Sequence, residues 1–157
     1  MGYTRIETVI TNGEKTWIEI ATDGLYEIVC PSGKSIIMLD KISDICFCEE
    51  LLVLRTEDRD FRNGSKYASF IKDNREVNNI DVFDRDGNHL WNIGEVVGDI
   101  KMAFDGITHM TALEVEREYG VSCASDPCLF KCIAGGITYI IDGRNKKCLC
   151  RVMGKAK

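Results

Sequence analysis

NNIDVFDRDGNHLWNIGEVVG, residues 78–98, decides how the chain is read. Ile80 and Val82 alternate with Asp81 and Phe83, and a period of two sends successive side chains to opposite faces of an extended strand. Asp84-Arg85-Asp86-Gly87-Asn88 supplies turn residues, and His89–Ile93 reads as a return strand, so the unit is a β-hairpin. The same order of apolar strand, Asp, polar turn with Gly, apolar strand and Gly recurs in GGITYIIDGRNKKCLCRVMG, residues 135–154. GLYEIVCPSGKSIIML, residues 24–39, is a looser third copy. A hairpin echoed along one chain points to repeated antiparallel units.

Working outward, Thr8–Thr11 runs into Asn12-Gly13, a pair that tolerates the positive φ of a primed hairpin turn. Thr16–Ala21 follows, with Trp17, Glu19 and Ala21 on one face and Ile18 and Ile20 on the other. Asp23-Gly24 and Pro31-Ser32-Gly33-Lys34 turn the chain into Leu25–Cys30 and Ser35–Leu39, so the first forty residues read as four antiparallel strands. DICFC (Asp44–Cys48) and LLVLRT (Leu51–Thr56) are continuous apolar runs, expected as central strands buried on both faces. EDRDFRNGSK (57–66) is expected as an exposed loop, Tyr67–Ile71 as a strand, and the polar stretch KDNREVNN leaves room for a helical turn.

Asp99–Asp105 alternates, with Ile100, Met102 and Phe104 on one face, and predicts a strand. Leu113–Tyr119 has helix-favouring residue types, but Glu114, Glu116 and Glu118 alternate against Leu113, Val115 and Tyr119. Weighting period above propensity predicts a strand there too. Cys128–Ala134, Ile137–Asp142 and Cys148–Val152 complete a three-stranded meander.

A chain of 157 residues can bury about 68–70% of the surface its unfolded form exposes. One domain over 1–157 is expected, with sub-units 1–43, 44–98 and 99–157. A hydrophobic share of 45%, a charged share of 29% and only 2 Pro argue against long disordered stretches. No apolar run approaches the roughly 18 residues of a membrane span. MGYTRIETVI lacks the basic-then-apolar layout of a secretion signal, and Ile6 stands where a myristoylation signal wants Ser or Thr. A cytoplasmic protein is expected. Twenty basic against 25 acidic side chains give a net charge of -5, without a cluster of Lys and Arg interleaved with aromatics. Nucleic acid and membrane are therefore not expected partners, whereas a basic protein is.

LLVLRTED, NNIDVFDRDGNHLW and GGITYIIDGRNKKCLC together resemble the blades of a β-propeller, in particular small bacterial proteins built from propeller-like strand meanders. The resemblance covers residues 44–154 and implies a fold without implying catalytic residues. A closed propeller needs about four or more blades of four strands, and this chain has strands for two or three. The expected fold is all-β, an antiparallel meander of about ten to twelve strands in an incomplete propeller-like or two-sheet sandwich-like arrangement.

The 8 Cys are the residues that look most like chemistry. Disulfide frameworks belong to short secreted chains, and C-x4-C-x3-C over Cys123, Cys128 and Cys132 fits no zinc or iron–sulfur spacing. A composite zinc site would use Cys123, Cys128 and Cys132 with Cys148 or Cys150. Strand alternation offers a plainer account, because residues two apart share a face: Cys46 with Cys48, Cys128 with Phe130 and Cys132, Cys148 with Cys150. Cys123, before Ala124-Ser125-Asp126-Pro127, is the thiol expected to be exposed. Asp84–Asn88 resembles part of a calcium loop, but its Gly comes early and the distal Glu is absent, so a hairpin turn explains it. His89 with Asp81, Asp84 or Asp86 is a candidate acid–base pair, yet no nucleophile motif accompanies it. No cofactor is expected. Trp17, Trp91 and Tyr119 are candidate partner anchors, Trp91 more simply a core residue.

Two function classes follow. The first is a non-enzymatic protein-binding module, in its most concrete form an immunity or antitoxin-like protein that covers a basic toxin. Its candidate partner-binding carboxylates are Glu57, Asp58, Asp60, Asp84, Asp86, Glu114, Glu116 and Glu118. The second is a metal- or small-ligand-binding domain, or an enzyme, with its site at the cysteine cluster. A structural component that joins a larger assembly by edge pairing is a third expectation.

Overall fold

The structure, a computed structural model, describes residues 5–22, 25–57, 78–98, 102–124 and 127–153. It is all-β and sandwich-like: antiparallel strands form three four-stranded meanders in chain order. The first sheet is β1 (Arg5–Asn12), β2 (Lys15–Thr22), β3 (Leu25–Val29) and β4 (Ser35–Met38). The second is β5 (Lys41–Cys48), β6 (Leu51–Glu57), β7 (Ile80–Asp84) and β8 (His89–Asn92). The third is β9 (Gly106–Met110), β10 (Leu129–Ala134), β11 (Ile137–Asp142) and β12 (Lys147–Met153). Helix α1 (Ala112–Tyr119) interrupts the step from β9 to β10.

Alternation along the second sheet explains the layering. Leu52, Leu54 and Phe83 point into one core with Trp17, Ile28 and Ile36 of the first sheet. Leu51, Val53, Ile80 and Val82 point the other way, into a core with Phe130, Cys132, Tyr139 and Ile141 of the third. The middle sheet thus feeds two cores, which is why Leu51–Leu54 is apolar at every position. Each fully buried Leu or Ile there contributes about 1.5–3 kcal/mol. The other run expected to be central, Asp44–Cys48, belongs to β5, which is the edge of its sheet. Its cover comes from β9, which packs against it.

One expected strand is a helix, and another forms no strand over its described part. Residues 113–119 are helical because the Thr111 side chain accepts from the Glu114 N–H while the Glu114 carboxylate accepts from the Thr111 N–H. This capping box and Gly120, left-handed at φ 68, fix both ends. The buried stripe is Ala112, Val115 and Tyr119, at helical spacing, while Leu113 is exposed. In the stretch 99–105, the described residues 102–105 form no strand. Phe104 is held instead by bonds to Asn79 and Arg55, and the strand begins at Gly106.

The β1–β2 loop is Gly13-Glu14, so Asn12 pairs with Lys15, and Gly13 rather than Asn12 takes the positive φ. Asp23-Gly24, nearly all of 57–66, Tyr67–Ile71 and 72–77 lie outside the described residues.

The three echoed turns each join the third and fourth strands of a sheet. Cys30 N–H donates to the Lys34 carbonyl and Gly33 N–H to the Cys30 carbonyl; Asp84 N–H and Gly87 N–H make the same bonds to Asn88 and Asp84. The copy that is loosest in sequence is therefore the same backbone turn. In the third, the Asp142 carboxylate takes over, accepting from the N–H groups of Arg144, Asn145 and Cys128.

Candidate functional site

In a four-stranded meander the first and third turns share one end. Turns 13–14, 30–34, 49–50, 84–88 and 143–146 therefore gather at one end of the stack, with the entry to α1. Cross-sheet bonds tie them together. Arg85 donates to Asn12 Oδ1 at 2.9 Å and lies over the Trp17 ring at 5.0 Å, and Trp17 Nε1 donates to the Arg85 carbonyl at 3.3 Å. Ser32 donates to the Asp86 carbonyl, Lys34 to Asn88 Oδ1, and Arg144 pairs with Glu50. Gly87 is needed where these turns meet: a Cβ there would sit 3.0 Å from Cys30 Sγ, at a φ of +99.

The expected partner-binding carboxylates divide by role. Asp84 is consumed by its own turn, accepting from the Asp86 and Asn88 N–H groups and from Asn88 Nδ2. Burial pushes its pKa up, but those hydrogen bonds outweigh burial and hold it below its ordinary value. Glu114 is consumed by the capping box. Glu57 stands at the opposite end, bonded to Arg55, and Asp58 and Asp60 lie outside the described residues.

Asp86 is exposed in turn 84–88, and Glu116 and Glu118 are exposed on α1, each without a side-chain partner among the described residues. Glu14 in turn 13–14 and Glu49 in turn 49–50, which were not among the expected binding residues, are exposed at the same end as Asp86. Of the cations at this end, Lys34, Arg85, Arg144 and Lys146 are engaged within the chain, Lys146 with Glu95, while Lys15 and Lys147, with Arg117 on α1, are exposed. Stacking of the sheets brings the turns that carry Glu14, Glu49 and Asp86 to one end, so no local pattern announces Glu14 and Glu49.

The opposite end is a buried polar knot. Arg55 donates to Asp44 at 2.6 Å, to Glu57 at 2.9 Å and to the Phe104 carbonyl at 3.1 Å. Burial opposes its charge, yet the bonds to the two carboxylates prevail and raise its pKa. Asn79 donates to the carbonyls of Thr56 and Phe104 and accepts from Phe104 N–H.

A concavity of ≈ 320 Å³ opens beside the knot, lined by Ile37, Met38, Leu39, Thr56, Asn78 and Asp81 among others. Most of its polar groups are committed. Asn92 donates to Asp81 and accepts from Gly94 N–H, and His89 Nε2 lies 2.9 Å from Asp81 Oδ1. The structure thus joins His89 to Asp81, and not to Asp84 or Asp86. Among the described residues no hydroxyl or thiol is hydrogen-bonded to His89.

The cysteines disperse over three cores. Cys128, Cys132 and Cys148 pack between the second and third sheets with Cys46 and Cys48; Cys30 lies in the other inter-sheet core; Cys123 packs under α1. Cys150 packs into the core under α1, on the opposite face from Cys148, because a bulge between Ile140 and Ile141 breaks the alternation of β12 against β11. The expectation that Cys148 and Cys150 share a face is therefore corrected. Among the described residues no group of three or more His, Cys, Asp or Glu side chains is arranged to hold a metal. Cys123 is half-buried, and burial raises its thiol pKa. Trp17 and Trp91 are core residues rather than partner anchors, and Tyr119 is partly buried under α1.

Among the described residues no helix is long and apolar enough to cross a membrane. Compared with known proteins, the chain matches no family model, no curated protein and no solved structure.

Proposed function

We propose that the chain is a non-enzymatic protein-binding module that covers a basic partner with its turn end, in the manner of a bacterial immunity or antitoxin-like protein. One observation supports this above others: Glu14, Glu49 and Asp86 come from separate turns to one end, Glu116 and Glu118 stand exposed on the helix that leaves that end, and none of the five makes a side-chain bond among the described residues. Fixed like charges on a common surface speed encounter with an oppositely charged protein and suppress acidic competitors.

The test is co-expression with the product of an adjacent toxin-like reading frame, followed by sizing. A stoichiometric complex is expected that dissociates when salt is raised to about 1 M, where the Debye length is about 3 Å. Asp86→Asn with Glu116→Gln and Glu118→Gln should slow association at least tenfold at low salt. A complex indifferent to both salt and these substitutions would remove the turn end from consideration.

A further inference from the structure

Among the described residues, β1 is an edge of the first sheet with no strand paired on its outer side. Six of its eight residues are exposed, and only Ile10 and Asn12 are half-buried. The other long edges are interrupted or covered. β5, β8 and β12 each shift register against their neighbours, β9 packs on β5, and β4 is four residues long. β1 instead pairs with β2 without a break from Arg5↔Thr22 to Asn12↔Lys15, and it contains neither Pro nor Lys. A long regular edge without Pro, Lys or a bulge, whose charges Arg5 and Glu7 pair with each other, is a template for another strand.

The phase of that edge follows from its hairpin. A two-residue loop makes Asn12 and Lys15 the hydrogen-bonded closing pair. Alternation then turns the backbone groups of Ile6, Thr8, Ile10 and Asn12 toward β2, and those of Arg5, Glu7, Val9 and Thr11 outward.

We propose that β1 pairs antiparallel with β1 of a second copy about a two-fold axis at Thr8, fusing the two first sheets into one eight-stranded sheet. The strand is self-complementary in this register. The outward groups of Glu7 meet those of Val9 of the second copy, Ile6 lies opposite Ile10, and Arg5 opposite Thr11, with no like charges facing. Centring the axis on Glu7 sets that carboxylate against its own copy; centring it on Val9 sets Ile6 against Asn12. The Thr8 register also covers Ile6, which is 56% exposed. A second copy is the fitting occupant because strand addition needs a partner as extended, regular and exposed as the edge itself, and β1 meets that need. The proposal uses the first-sheet edge and not the turn end, so it stands or falls apart from the proposed function.

Sedimentation of the purified full chain from about 1 μM to about 1 mM reads it directly. A twofold rise in mass is expected. Val9→Pro removes an outward N–H without touching a β1–β2 bond, so it should leave a folded monomer. Thr8→Cys should form a disulfide-linked dimer under mild oxidation, because Thr8 faces its copy at a non-hydrogen-bonded position about 4.5 Å away; unsubstituted chain and Glu7→Cys should not. The cross-link reports the register even if the proline variant unfolds. A monomer throughout the range, or a dimer that Thr8→Cys does not link, overturns the proposal.

Discussion

The first and third sheets are the same four-stranded meander, yet their outer faces end differently. In the third, residues 111–128 separate β9 from β10 and lay Ala112, Val115, Tyr119 and Val121 over Met110, Leu129 and Ile140. In the first, the β1–β2 and β3–β4 connections are tight turns. The face carrying Val9, Ile18, Val29 and Ile37 receives no such helix among the described residues, and Val9 and Ile37 remain 65% and 59% exposed. Alternation makes an apolar face, and connection length decides whether the chain can cover it.

Four measurements would break or sharpen this contrast. The largest effect should come from alkali. Cys46, Cys48, Cys128, Cys132 and Cys148 share the core on the third-sheet side, against Cys30 alone on the first-sheet side. Burial is the main cause that raises each of these thiols, Cys46 from an ordinary 9.0 to about 11. A raised folded pKa favours the neutral thiol, so its stabilisation is complete below about pH 9 and is lost as pH rises through about 11. Urea midpoints should fall over that window, and Cys46→Ala should flatten the fall more than Cys30→Ala does.

Next, Ile140→Ala, beneath α1, should destabilise by about 2–5 kcal/mol in urea unfolding. A loss under about 1 kcal/mol would mean that the helix does not seal that face. Thr111→Ala removes one half of the capping box and should lose about 0.5–2 kcal/mol, with increased binding of an apolar dye as the third sheet is uncovered. Smallest of all, Ile37→Thr on the open face should stay within about 0.5 kcal/mol. A larger loss would show that this face is covered in solution.

The hairpins were legible because their information is local. Ile80–Asp84 and Ile137–Asp142 alternate, and glycine and carboxylate turns follow them directly. Helix α1 was misread because 113–119 satisfy a period of two while 112, 115 and 119 satisfy a helical spacing. Thr111-x-x-Glu114 and Gly120 were the decisive signals, since they satisfy backbone groups that a strand would pair elsewhere. β9 was missed because Gly-Ile-Thr-His-Met has little apolar pattern; its pairing with β10 and its packing on β5 define it. Among the candidate site residues, Asp84 and Glu114 looked like free charges until their own turn and cap were seen to use them.

By itself the sequence determined the all-β class, the repeated hairpin and the apolar run destined for the middle of the protein, since turn residues and side-chain period act over a few neighbours. Only the tertiary structure decided which carboxylates gather at the turn end, which face a bulge gives Cys150, and which sheet stays open. Those outcomes depend on groups distant in the chain meeting across sheets, where one register shift or one longer connection reverses the result.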